Sequence, residues 1–145
     1  MSRQQPSPDA GGAHKFLSGV RSNTAPGRLI NARTGQTVAE PVEFAVTSAS
    51  RRRGLLGRDR LDRGAALVIA PCNSIHMFFM RFAIDVVYVD RAGRVRKIVR
   101  ALRPWRISAA MSAYAVIELA AGSLDGFDIE RGDRLYVESA GPRPS

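Results

Sequence analysis

This chain of 145 residues has little of the chemistry that small domains often depend on: it has one cysteine, two histidines and one tryptophan. With Cys72 alone, neither a disulfide within the chain nor a multi-cysteine zinc site can form. No apolar run approaches the roughly 20 residues of a membrane helix, and the N-terminus lacks the apolar region of a signal peptide. We therefore expect a cytoplasmic protein with no membrane partner, whose fold rests on packing.

Positive charge is plentiful, with a formal net charge of +9 that is carried almost entirely by arginine. A chain rich in arginine and alanine but poor in lysine is also what a GC-rich coding sequence produces, so charge alone points only weakly to nucleic acid. The arginines form two groups, Arg51–Arg63 and Arg94–Arg106. If folding merges them, they can bind phosphate or carboxylate, with these candidates: Arg53, Arg58, Arg96, Arg100 and the stacking side chain of Trp105.

Length and composition predict a single domain. Residues 1–27 lack hydrophobic periodicity and are predicted to be a flexible tail. Residues 28–138 are predicted to form one globular, β-rich domain, and the prolines near the end predict a frayed C-terminus over residues 139–145.

Within the domain, short apolar or alternating runs predict strands that are joined by tight turns. Thr47 and Ser48 are good N-caps for a short helix through the arginines that follow. Asp90–Gly93 predicts a hairpin turn, and the basic strand that follows it is typical of a sheet edge. Six or more strands with one or two short helices predict an antiparallel β-sandwich or an open barrel.

The segment Cys72–Arg81 mixes polar groups with large apolar ones, which is the composition of a loop that lines a ligand pocket. A structural alternative is that Met77, Phe78, Phe79, Met80 and Phe82 are simply core residues. The candidate ligand-binding residues are His76, Met80, Arg81, Asp85 and Glu118.

Strand alternation places Asp85 on the same face as Val87 and Val89, where a carboxylate needs a partner. Arg81 or His76 is the expected partner. A structural ion pair explains Asp85 as well as a functional role does, and the same holds for Glu118, which lies in an apolar strand.

Catalysis is not indicated by any specific motif. A catalytic zinc site needs three protein ligands, and Cys72 and His76 would require a carboxylate such as Asp85 or Glu118 to complete one, so neither a metal site nor a cofactor is predicted. A small hydrolase with His76 as general base, oriented by Asp85, is the enzymatic alternative.

Five motifs follow one another along the chain: Arg53–Arg58, Ile75–Arg81, Ile84–Asp90, Val116–Gly122 and Gly132-Asp133. Together they resemble one bacterial and archaeal family, the domain of unknown function 192. The resemblance spans about Leu29 to Val137, and it implies a compact, mainly β fold but no established activity, substrate or catalytic residue.

The leading hypothesis is therefore a non-enzymatic domain that binds a small anionic or amphipathic ligand near His76 and Asp85. The hydrolase is the first alternative, and nucleic-acid binding through the arginine groups is the second. Protein partners cannot be derived from these residues.

Overall fold

A computed structural model describes residues 15–17 and 27–139 of the chain. Most of the predicted N-terminal tail and the last residues of the predicted frayed C-terminus lie outside these described residues. The described residues form nine strands and two short helices in this order: β1 Gly27–Asn31, β2 Thr37–Ala45, α1 Ser48–Arg53, β3 Ala66–Ile69, β4 Ser74–His76, β5 Ile84–Val89, β6 Val95–Leu102, β7 Ile107–Ala109, β8 Ala115–Ala120, a 3₁₀ helix Ser123–Gly126, and β9 Leu135–Ser139.

Seven strands form one sheet in the order β6-β5-β8-β3-β2-β1-β9, and β4 pairs with β7 in a small second sheet. The large sheet curls into a half-barrel, which confirms the predicted mainly β fold. Its pairs are antiparallel except for β2 and β3, which run parallel. The basic strand β6 lies at an edge of the sheet, as predicted.

Alternating residues bury the two faces of this sheet in two separate clusters. On the main-core face lie Leu29, Val68, Ile117 and Leu119. On the other face, which we call the helix-side face, Ile69, Val86, Tyr88 and Val116 pack against Leu55 behind α1 and against Met77. Because side chains alternate along a strand, a polar residue in β8 or β5 can be assigned to one face from its number alone.

The main core also contains Phe16, which belongs to the predicted flexible tail. Phe16 is 5% exposed, and its N–H donates to the Arg91 carbonyl at 2.6 Å. This contact was not predicted, because a short apolar stretch in a polar segment carries no periodic signal.

The predicted hairpin at Asp90–Gly93 is confirmed by the antiparallel pairing of β5 with β6. Asp90 fixes the turn, since its side chain accepts from the N–H groups of Ala92 and Arg94. The short helix is confirmed as well. Thr47 caps α1 by accepting from the Ser50 N–H at 3.1 Å, and the Ser50 hydroxyl in turn accepts from the Thr47 N–H, which is a reciprocal cap.

Candidate functional site

A cavity of about 360 Å³ lies between α1 and β4, over the helix-side face of the sheet. Its walls are largely apolar, and polar groups come from α1, from the segment after β3 and from β8. The lining includes Leu55, Ile69, Met77, Met80, Arg51, Arg52, Arg53, Cys72, Ser74, His76 and Glu118. Apolar walls with a few convergent polar groups are the usual composition of a small-ligand site.

Glu118 supplies a carboxyl group to this cavity. It lies in β8 between Leu67 of β3 and Val86 of β5, and it is 6% exposed. Among the described residues it has no hydrogen bond or ion pair. Burial raises the pKa of Glu118 to about 7, although the nearby Arg58 guanidinium opposes this shift. Its oxygens are not among the fully buried atoms that lack a partner, and Glu118 lines the cavity, so its carboxyl group is open to a ligand that enters there.

Arg51 lies at the rim of the cavity and is held in place from two sides. Its guanidinium donates to the Pro71 carbonyl at 3.1 Å and to the Ser48 hydroxyl at 3.3 Å, while its Nε is buried with no partner in the described residues. Arg52 and Arg53, which follow it, are exposed. The reciprocal cap at Thr47 starts the helix that presents all three.

Cys72 also lines the cavity, but as a thiol. Its Sγ–H donates to the Ser74 carbonyl at 3.1 Å, and burial raises the pKa of Cys72. A nucleophilic cysteine needs a lowered pKa. The arrangement therefore does not support a cysteine–histidine pair with His76, whose ring stacks on Phe78 at 4.9 Å between centroids.

A larger cavity of about 660 Å³ lies on the other side of α1 and shares Arg53 and Gly54 with the first. Most of its polar side chains already have partners, apart from Arg53, which both cavities share. Arg58 forms an ion pair with Glu43 at 2.9 Å, and Thr47 and Ser50 cap the helix. The smaller cavity is the better candidate site, because only there does a buried carboxyl stand without a partner.

The structure brings together three of the five predicted ligand-binding residues: His76, Met80 and Glu118. Arg81 pairs with Asp59 at the surface and does not line this cavity. Cys72 belongs to the segment that was predicted to line a pocket, whereas Arg51 and Leu55, which also line this cavity, were not predicted. The capping pattern at Thr47 was the available signal for Arg51.

Asp85 lies on the main-core face, and the prediction that Arg81 or His76 is its partner was wrong. Its carboxylate accepts from the N–H groups of Ala101, Gly122 and Leu124 at 2.9, 3.1 and 3.1 Å. Both carboxylate oxygens therefore accept hydrogen bonds from backbone amides, and Asp85 forms no ion pair with the described residues. The proposed dyad does not form, because His76 lies on the helix side of the sheet.

The structural alternative, that the methionine and phenylalanine residues of this segment belong to the core, is wrong in part. Met77 and Met80 are buried, but Phe79 is 73% exposed. The side chain of Phe79 packs on Trp105 instead, with 4.9 Å between ring centroids.

The two arginine groups do not merge on one surface around this cavity. β6, which carries Arg96 and Arg100, is separated from β3 by β5 and β8, a distance of roughly 14 Å at the usual strand spacing. Arg100 pairs with Asp125, and Arg96 donates to Ser112. Only the group on α1 borders the cavity that contains Glu118.

Within the described residues, no cluster of three histidine, cysteine, aspartate or glutamate side chains could hold a metal ion. The same part of the chain contains no helix of the length and apolarity that crossing a membrane requires.

These features define a class: a half-open β domain with a short capped helix over a cavity that has a carboxyl group in its wall. The chain belongs to the DUF192 family, described as "Uncharacterized ACR", whose model matches residues 29–137. It is 35% identical to a UPF0127 protein of Thermococcus sibiricus, over 76% of this chain and 74% of that protein. It is 37% identical to a UPF0127 protein of Thermococcus gammatolerans, over 74% and 72% respectively.

Two solved structures share the fold. A Sinorhizobium meliloti protein, described as a candidate transcription regulator, superposes with a TM-score of 0.69 at 25% identity, covering 82% of this chain and 98% of that one. A Novosphingobium aromaticivorans protein of unknown function gives a TM-score of 0.63 at 21% identity, covering 86% and 99%.

Proposed function

We propose that this domain binds a small amphipathic ligand, with an anionic group and a hydrogen-bond donor, in the cavity between α1 and β4. The observation that carries the proposal is Glu118, a buried carboxyl that faces the cavity and has no partner among the described residues. A ligand group that donates to it removes the cost of leaving a buried acceptor unpaired.

The chemistry of the ligand follows from the lining. Arg52 and Arg53 stand exposed at the rim of the cavity and favour a carboxylate or phosphate. Met77 and Met80 offer a flexible apolar wall that adapts to an alkyl group. A hydroxyl or amide N–H on the ligand then meets Glu118.

The role is binding and not hydrolysis. The hydrolase alternative required His76 and Asp85 in contact, and Asp85 is instead bound to three backbone amides on the opposite face of the sheet. Cys72 is held as a thiol, so it does not supply a nucleophile in its place.

The test uses one pair of probes that differ only in the hydroxyl group: 2-hydroxy-4-methylpentanoate and 4-methylpentanoate. Affinities are measured by calorimetry at about pH 8, where Glu118 is mostly ionised. We expect the hydroxy acid to bind roughly 10- to 100-fold more tightly, because a hydrogen bond to a charged group contributes ~1.5–3 kcal/mol.

Two variants locate the site. In Glu118→Leu the preference for the hydroxyl group should vanish, and in Arg52→Ala/Arg53→Ala both acids should bind more weakly. Arg131→Ala is the matched control, since Arg131 is an exposed arginine after the 3₁₀ helix and outside both cavities. An unchanged hydroxyl preference in Glu118→Leu, or binding of neither acid to the intact protein, contradicts the proposal.

A further inference from the structure

The small sheet carries an unusual concentration of exposed apolar side chains. Of the five large apolar side chains that are exposed in the described residues, four lie on this sheet or its loops. They are Phe79, Trp105, Ile107 and Met111, which we call the apolar ridge. Ile107 and Met111 are 68% and 82% exposed. Phe79 contacts Trp105, and strand alternation puts Ile107 on the outer face of β7, opposite the buried Ser108. Large apolar side chains that are exposed together in one small sheet mark an interaction site.

The backbone presents the two aromatic members of the ridge in a costly conformation. Phe79 has a φ of 63° and Trp105 a φ of 69°, a left-handed region that bulky residues rarely adopt. Hydrogen bonds hold the two loops together: the Trp105 N–H donates to the Met77 carbonyl, and the Met77 N–H donates to the Arg106 carbonyl, both at 2.7 Å. Strain that is kept at an exposed surface is typical of a functional site.

Positive charge surrounds the ridge. Residues 91–117 contain seven basic side chains and no aspartate or glutamate. Arg103 and Arg106 flank Trp105 and are exposed. At the other end, Lys97 donates to the Ala109 carbonyl and Arg96 to the Ser112 hydroxyl, beside Met111. None of these four cations forms an ion pair with the described residues.

Charge complementarity selects an anionic partner and disfavours a second copy of this chain, which would bring like charges together. Single-stranded nucleic acid binds through free aromatic faces. Here Phe79 and Phe78 both pack against Trp105, at 4.9 and 5.9 Å between centroids. Ile107 and Met111 have no aromatic face at all. Exposed aliphatic and aromatic side chains that lie between cations fit the headgroup region of an anionic bilayer better than they fit single-stranded nucleic acid.

We propose that the apolar ridge inserts into the headgroup region of a bilayer that contains anionic lipid, with Arg96, Lys97, Arg103 and Arg106 facing the lipid phosphates. Tryptophan favours this interfacial depth. The contact is peripheral, without a membrane span. Composition alone led us to expect no membrane partner, because a sequence does not show which apolar side chains fold to the outside.

The chain has one tryptophan, so its fluorescence reports on the ridge directly. Vesicles of phosphatidylcholine with about a third phosphatidylglycerol are compared with vesicles of phosphatidylcholine alone. We expect a blue shift of the Trp105 emission and quenching by brominated acyl chains with the anionic vesicles only. Salt should reverse the binding, since surface attraction is screened within about a Debye length.

Variants separate the apolar and the charged contributions while keeping the reporter. Phe79→Asn/Ile107→Thr/Met111→Gln removes the apolar tips; asparagine tolerates the left-handed backbone and threonine suits a strand. This variant should lose the blue shift. Arg103→Gln/Arg106→Gln should weaken partitioning by roughly 25-fold, at about fivefold for each cation.

Matched controls are Leu56→Gln, the exposed apolar side chain outside the ridge, and Arg131→Gln, a cation remote from it. Both should bind vesicles like the unmodified chain. The proposal is overturned if the ridge variant partitions into anionic vesicles as well as the unmodified chain does, or if these vesicles cause no emission shift. It is also overturned if a short oligothymidylate quenches Trp105 and binds more tightly than the vesicles. The proposal is also overturned if the unmodified chain sediments as a dimer and the ridge variant sediments as a monomer.

Discussion

Replacing Glu118 with glutamine should remove a large pH dependence of stability. Burial raises the pKa of Glu118 from 4.5 to about 7 in the folded protein, whereas the unfolded chain keeps the ordinary value. Between these pH values the folded state binds more protons than the unfolded state, so stability falls as pH rises. The favourable contribution is fully present below about pH 4.5 and is lost as the pH rises through about 7.

The size of the effect follows from the size of the shift. A change from 4.5 to about 7 corresponds to roughly 3 kcal/mol, at about 1.4 kcal/mol for each pKa unit. About 2 to 3 kcal/mol of this should appear between pH 5 and 8. That is a large fraction of the stability of a small domain.

Urea unfolding at about pH 5, 6, 7 and 8 measures this directly. Relative to Glu118→Gln, the unmodified protein should lose stability steadily over this range. Glu40→Gln, which changes an exposed glutamate, should run parallel to the unmodified protein. If the curves of the unmodified protein and Glu118→Gln are parallel instead, Glu118 is not held in a desolvated site, and the basis of the proposed function is lost.

Three further substitutions test the framework around the site. Asp85→Asn should lower the free energy of unfolding, measured in urea, by about 2–3 kcal/mol, because the amide offers one acceptor oxygen fewer to the three backbone N–H groups. Ligand affinity should stay unchanged, and a reduced affinity in a folded variant would contradict this. Arg33 lowers the pKa of Asp133 to about 2, so this stabilisation is present above about pH 4 and is lost as the pH falls towards 2. Asp133 is 5% exposed and also accepts from the Asn31 side chain and the Glu130 N–H, so Asp133→Asn should cost roughly 2 kcal/mol near pH 7, and an unaltered acid limb of the stability curve would refute the assignment. Gly93→Ala should lower stability by about 3 kcal/mol or more in thermal unfolding, because a Cβ would collide with the Leu135 carbonyl at a φ of +88°; an unchanged melting temperature would show that the hairpin can move aside.

Local patterns were sufficient for much of the fold. Alternation and turn chemistry predicted the hairpin at Asp90–Gly93, and Thr47 predicted the start of α1, because both depend on contacts a few residues apart. The small sheet was not predicted. Its strands β4 and β7 have three residues each, too few to show a period, and they pair across about thirty residues of chain.

The same distinction applies to the site. Glu118 was a candidate because a carboxylate within an apolar strand is conspicuous in any sequence, and Asp85 was a candidate for the same reason. Alternation correctly placed Asp85 with Val87, but it could not show that backbone amides from two distant segments would occupy its carboxylate.

Residue type and short-range spacing were therefore enough to predict the fold class, the local turns and caps, and the burial of Asp85 and Glu118. The tertiary structure set which of these two carboxyl groups accepts from backbone amides and which faces a cavity. It also decided that four apolar side chains face outwards among arginines. Those outcomes depend on which strands become neighbours, and that is settled by packing of the whole chain.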